Sequence, residues 1–357
     1  MPDRDVLIKL LDLARWAPSG DNTQPWRFEI AGEGHIVVHG HDTRDSVVYD
    51  IDGRPSQIAH GALLETLRIA ASGFGCTTSW SLRPGCTDSL PVYDVVVEPR
   101  AGLAADPLLP FVETRVVQRR PMRTTALTDA QRAALAAAPG PRYELRFFES
   151  AGERWSIAKL LWANARVRLT CPEAFEVHRA IIEWGVRYSK DRIPEQAVGV
   201  DPLTARLMRW AMQSWSRVDF MNRYLFGTIA PRVQLDLLPA MACAAHLALV
   251  ADRPPVGIVD HVDAGCAMQR VWLTASALGL HLQPEMTPVI FNWYARAARS
   301  ISTAPGLDDQ VGELSRSIAA LLGERASGSL VFMGRVGVSA RPGSRSTRKD
   351  LTELMIS

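Results

Sequence analysis

Apolar residues recur at helical spacing through Val6, Leu7, Leu10, Leu11, Leu13 and Ala14, and the run stops at Pro18. The pattern predicts a first helix over residues 5–17. Residues 25–30 and 35–39 then read as a strand pair turning around Gly32 and Gly34. A longer helical stretch, 55–72, is closed by Gly73 and Gly75, and strands are expected at 78–82 and 93–98. Residues 99–110 are rich in Pro, Gly, Ala and Asp and read as a linker. A second cycle opens at Leu127-Thr-Asp-Ala-Gln131, where Thr128 or Asp129 would cap a helix. A strand at 144–148 and a long helix at 260–276 continue it.

The two long helices are similar residue by residue. Gly61–Gly75 aligns without a gap on Gly265–Gly279, with glycines at both ends, Ala71 on Ala275 and Ser72 on Ser276. A duplicated α+β domain is expected, with a first half over 1–110 and a second over 111–357. Residues 173–239 fall outside the repeat and carry Trp184, Tyr188, Trp210, Trp215, Phe220, Tyr224 and Phe226. Such an insert reads either as added core or as an aromatic helical lid over a flat ligand. The apolar run Leu237–Ala251 holds His246 and is shorter than the ~20 residues of a membrane span. It reads as a buried core segment.

Composition changes little in this picture. At 357 residues and 47% hydrophobic, the chain can bury more than one core. The net charge of +2 makes no general case for nucleic acid. Of the 40 basic residues only Lys9, Lys159, Lys190 and Lys349 are lysines, so arginine, the side chain that forks onto phosphate, dominates. Five cysteines without a Cys-x-x-Cys pair fit reduced thiols. The start, Met1-Pro-Asp-Arg-Asp5, is not that of a signal peptide. A cytoplasmic location is expected, with a small-molecule substrate and neither a nucleic-acid nor a membrane partner. Glycine-rich dinucleotide loops, P-loops, His-Glu-x-x-His and Gly-x-Ser-x-Gly are all absent.

The most informative segment is Ala17-Pro-Ser-Gly-Asp-Asn-Thr-Gln-Pro-Trp26. As bare chemistry it is a polar turn presenting hydroxyl, amide and backbone N–H groups. It closely resembles the Ala-Pro-Ser-x-x-Asn-x-Gln-Pro-Trp signature of the flavin-dependent nitroreductase family, and the repeat points to that family's double-length, tandem branch. The fold this implies is nitroreductase-like and duplicated in one chain, a pseudo-dimer. In the family this turn reaches FMN bound mainly by the other subunit, whose arginine run is similar to Arg119-Arg120-Pro-Met-Arg123 here. Pro121 departs from the usual serine and removes a hydroxyl and an N–H. The tail Arg341-Pro-Gly-Ser-Arg-Ser-Thr-Arg-Lys349 resembles the family's basic C-terminal phosphate clamp.

The resemblance implies that Arg119, Arg120, Arg345 and Arg348 hold the FMN phosphate and that Arg123 lies by the flavin N1/O2 edge. Pro18, Ser19, Gly20 and Asn22 would line the ring and ribityl chain. It implies no side-chain acid or base: NAD(P)H would reduce flavin N5, which passes electrons to a nitroaromatic or quinone-like acceptor. Two contrasting readings are a protein that holds FMN under its insert with little turnover and a specialised flavin dehydrogenase. Because each half supplies what the other lacks, one FMN per chain is expected. Among lesser candidates, His35, His39 and His41 read as an exposed hairpin face, and Glu285 as a residue near the N5 side.

Overall fold

The computed structural model describes residues 1–356. In the first half, α1 (Arg4–Ala14) is capped by the Asp3 carboxylate, which accepts from the Val6 N–H at 2.9 Å. It is followed by β1 (Trp26–Gly32), β2 (His35–Gly40), α2 (Arg54–Ser72), β3 (Cys76–Leu82) and β4 (Val92–Pro99). These strands form an antiparallel sheet of order β1-β2-β4-β3.

The second half repeats the plan. Helix α3 (Asp129–Ala137) carries a Thr128/Gln131 capping box, and β5 (Tyr143–Phe148) follows. Four longer helices then intervene, with several short turns between and after them: α4 (Ala151–Thr170), α5 (Pro172–Ile181), α6 (Pro202–Ala211) and α7 (Trp215–Tyr224). The plan resumes with β6 (Ala245–Ala251), α8 (Gly257–Ala277), β7 (His281–Pro284), α9 (Met286–Arg296), α10 (Leu307–Leu322) and β8 (Leu330–Gly337). The second sheet runs β5-β6-β8-β7, the same order and the same antiparallel pairing as the first. The duplicated α+β fold is thus present as expected. The run Leu237–Ala251 is two elements rather than one: a short helical turn, Leu238–Met241, and the buried strand β6.

Helices α2 and α8 pack against each other at the centre, and their matched glycines mark the crossing. A Cβ on Gly61 would lie 1.8 Å from the Val262 carbonyl oxygen, and one on Gly265 would lie 2.0 Å from that of Ile58. The backbones approach this closely only because neither position has a side chain. Around the crossing, contacts occur in exchanged pairs. Gln269 donates to Thr66 at 2.9 Å and Arg270 donates to Glu65 at 2.9 Å. The cores are exchanged too: Ile58 and Ala62 join the second half's core, while Ile258 and Val262 join the first's.

The end of the chain crosses over. Ile356 N–H donates to the Phe28 carbonyl at 2.7 Å, and Leu354 is buried in the first half's core. On its way the tail runs parallel to the insert, Arg345–Ser346 pairing with Tyr188–Ser189. No helix of the described residues is long and apolar enough to cross a membrane.

Candidate functional site

After α1 the chain makes its tightest turn. Asp21, Asn22 and Gln24 all have positive φ, at 50°, 65° and 51°. Three non-glycine residues in the left-handed region within four positions need strong local bonding to persist. That bonding is present. Ser19 Oγ accepts from the Gln24 N–H at 3.0 Å, and Gln24 Oε1 accepts from the Lys349 N–H at 2.9 Å. The Gln24 and Asn22 amides both donate to the Lys190 carbonyl, at 2.8 and 3.0 Å. Tail and insert therefore both strap the turn.

Behind it lies a cavity of about 80 Å³ lined by Pro18, Ser19, Asn22, Arg119, Arg345 and Arg348, with Asp21, Arg115 and Trp272 among its other walls. Six of the nine residues assigned to the cofactor from sequence thus meet at one point, drawn from both halves. Arg348 is buried and spans the turn, donating to the Ala17 carbonyl at 3.0 Å and to Asn22 Oδ1 at 2.9 Å. Arg345 lies over the Trp16 ring at 4.8 Å. Arg119 donates to the Ala197 carbonyl at 3.1 Å.

The other three assignments come out differently. Gly20 sits on the turn but faces solvent outside the cavity lining. Arg120 and Arg123 are exposed. Arg120 donates to the Gln196 carbonyl at 3.0 Å, away from the cavity. Between Arg120 and Arg123, Met122 is taken into the interior, its N–H donating to the Ala242 carbonyl at 2.8 Å. Burying that apolar side chain turns Arg123 outward, away from the cavity.

Sequence reading missed Arg115 and Trp272. Arg115 is buried, stacks on Trp272 at 4.3 Å and donates to the Trp16 carbonyl at 3.0 Å, while its buried Nε has no partner. Position 272 aligns on Arg68 in the first half, but most aligned positions of the two helices differ, so nothing in the sequence singled it out.

The electrostatics of this cluster are unusual. None of Arg115, Arg119, Arg345 or Arg348 forms an ion pair among the described residues. Burial and then mutual repulsion hold Arg115 well below the ordinary arginine range and bring Arg348 down to about 9. Burial lowers Arg119 to about 10, opposed by the nearby Asp21, whose own carboxyl is raised by burial. Four guanidinium groups gathered around a single carboxyl are costly unless an anion completes them. The donor set fits a phosphate. The cavity does not take a flavin ring as it stands, since small-molecule sites run to roughly 300 Å³ or more. The insert residues on its wall, Ile193 and Ala197, would have to move aside.

Beneath the cluster is a buried ionic triad. Glu285 accepts from Arg335 at 2.9 Å and pairs with His246 Nδ1 at 2.8 Å, and Arg335 also holds the Arg119 carbonyl at 2.9 Å. Burial opposes charge on His246, but Glu285 and Cys243 carry it up to about 10. Burial likewise acts against the Glu285 carboxylate, and its two cationic partners overcome it. Glu285 is thereby committed to positioning the arginine segment. His35 and His39 pair with Asp94 and Glu29 at 3.0 and 2.8 Å, and no cluster of three metal-ligating residues occurs among the described residues.

No family model matches the chain. It is 24% identical over 347 residues to an uncharacterized protein of Mycobacterium tuberculosis, covering 93% of this chain and 46% of the relative. It is 30% identical over 192 residues to the provisionally named NAD(P)H nitroreductase acg of the same organism, covering 45% of this chain and 56% of the relative. The chain spans about half the length of the curated relatives it matches. Among solved structures, a nitroreductase-like protein from Bacillus cereus aligns over 71% of this chain and 96% of its own, with TM-score 0.36 and 11% identity. The FMN-dependent nitroreductase NfnB from Mycobacterium smegmatis, in complex with NADPH, aligns over 69% and 96%, with TM-score 0.34 and 14% identity. In sequence the chain is similar to nitroreductase-like proteins, and it carries the turn signature described above.

Proposed function

We propose that the chain is an FMN-dependent oxidoreductase of nitroreductase type, taking electrons from NAD(P)H for a small conjugated acceptor. The observation that carries this reading is the set of four arginines, none of them in an ion pair, gathered at the foot of the Ser19–Gln24 turn with Asp21 as the one acid on the cavity wall. Arg115, Arg119, Arg345 and Arg348 would hold the phosphate, with Ser19 and Pro18 beside it. When bound, the flavin supplies the hydride chemistry, so the protein needs no acid or base of its own. The chain's part is to neutralise the anion, to exclude water with the insert, and to fix Arg119 through Arg335 and Glu285. Both halves line the cavity, so the reading needs no second chain.

A second reading, an FMN-holding protein with little turnover, draws on the closure over the turn. The Lys190 carbonyl takes both turn amides, and Lys190 pairs with Asp350 of the tail. Absorption spectra of the purified protein test the cofactor. Anaerobic addition of NADH and NADPH, followed by menadione or a nitrofuran, separates the readings. Bleaching of the flavin and its reoxidation by acceptor is the result expected. Bound flavin that stays oxidised under excess of both donors would leave the holding protein as the answer.

A further inference from the structure

In most surface helices the apolar stripe faces the core. Helices α6 and α7 reverse this. In α6 the inward positions are Thr204, Ala205, Met208 and Ala211, while Leu203, Leu207 and Trp210 point to solvent at i, i+4 and i+7. In α7 the exposed face is Ser216, Phe220, Arg223 and Tyr224, and the Phe220 and Tyr224 rings contact each other at 5.2 Å between centroids. The segment just beyond adds Leu225 and Phe226, the latter 75% exposed. So many large apolar side chains on the outside of one segment mark an interaction surface.

Charge identifies the partner. Between Pro202 and Phe226 there are four arginines and a single acidic residue, Asp219. The whole chain is only +2, so its positive charge is concentrated here and the remainder is slightly acidic. Arg206 and Arg209 on α6 and Arg223 on α7 are exposed beside the apolar stripes. A second copy meeting this face with its own would bring like charges together. Apolar and aromatic anchors flanked by arginine are what a helix lying in a lipid headgroup layer presents. We infer that the outward faces of α6 and α7 dock the protein on an anionic lipid surface. Contact is at the surface only, because no described helix can span a bilayer. The membrane partner that composition excluded comes from the insert's folded orientation, and its insertion would pull on the segment closing the cavity.

Co-sedimentation of the full chain with vesicles tests this. One set is phosphatidylcholine alone, and in the other about a third of the lipid is phosphatidylglycerol. Binding to the anionic set only, weakened by high salt, is expected. Arg206→Gln with Arg209→Gln should weaken partitioning about 25-fold, at about fivefold per arginine. Leu207→Ser with Trp210→Ser should abolish it while leaving flavin content and thermal midpoint unchanged, since both positions are exposed. No sedimentation with anionic vesicles, or binding that the serine variant retains, would overturn the inference. So would a concentration-dependent dimer that the serine variant dissolves, because a second copy would then cover these faces.

Discussion

Arg115 shows most clearly how a single residue can carry function at the expense of stability. Its guanidinium is buried, stacked on Trp272 and faced by Arg345 and Arg348 rather than by a carboxylate. Replacing a buried, uncompensated charge with an apolar side chain of similar volume is often stabilising. Arg115→Met should therefore raise the stability of the flavin-free protein by about 1–2 kcal/mol. The Trp16 carbonyl keeps Arg348 as a donor, so no buried acceptor is stranded. The same variant should bind FMN at least about tenfold more weakly, for want of one charge-assisted contact. Denaturant midpoints and fluorescence titration would read the two effects, and a drop in both would make Arg115 structural. Arg123→Ala is the contrasting case. Exposed and without a side-chain partner among the described residues, it should alter FMN affinity and stability by less than ~0.5 kcal/mol. Sequence could not tell Arg115 from Arg123, because the difference lies in whether Met122 or an arginine takes the interior position.

At the scale of elements, the α2–α8 crossing is the joint of the molecule. Gly61→Ala would set a methyl 1.8 Å from the Val262 carbonyl, and the backbone must move apart to admit it. A loss of about 3 kcal/mol or outright insolubility is expected, as for overpacked cores. Gly20→Ala, where an added methyl meets nothing within 4 Å, is the control and should leave thermal unfolding unchanged. This joint was legible in the sequence because glycines pinned between two backbones align wherever the helices are duplicated. Strand order was not legible. The strands of the first half were read from local alternation and turns, but the exchange of the third and fourth strands in each sheet is set by long-range pairing, and three of the second half's strands were not read at all. The insert was legible only in part. Its aromatic content marked it as an addition, yet the periodicity of Leu203, Leu207 and Trp210 is the same whether that stripe faces a core or solvent. Which it faces is decided by Thr204, Ala205 and Met208 on the other side, hence by tertiary packing. Closure of the turn by the Lys190 carbonyl was not legible at all, because a backbone acceptor leaves no mark in residue type.

The whole molecule has buried histidines that set its acid limit. Burial, only partly offset by the Pro25 carbonyl, brings His60 down to about 4, and burial brings His178, bonded to Tyr49, down to about 3. Both are neutral in the folded protein, whereas in the unfolded chain they titrate near 6.5. Below about pH 6.5 the unfolded state binds more protons, so stability falls with pH until each folded value is reached. Urea midpoints from pH 6.5 to 4.5 should show that decline, and His60→Gln should flatten it. The same whole-molecule view decides stoichiometry. Duplication creates two places where a first-helix turn of one half meets the chain preceding the other half's first helix. At one of them the turn is Ser19–Gln24, and Arg115 and Arg119, with Arg345 and Arg348 from the tail, converge on it. At the other the turn is Ala138-Pro-Gly-Pro141, without Ser, Asn or Gln. A phosphate dianion there would lack the turn's hydroxyl and amide partners, and an uncompensated charge in a dry cleft does not bind tightly. The tail adds a second asymmetry, because one C-terminus can clamp only one site. Flavin released by denaturation should therefore saturate at one per chain, whatever further association the protein undergoes. A value approaching two would mean that the arginine cluster is not what selects the ligand, and the functional reading built on it would fall with it.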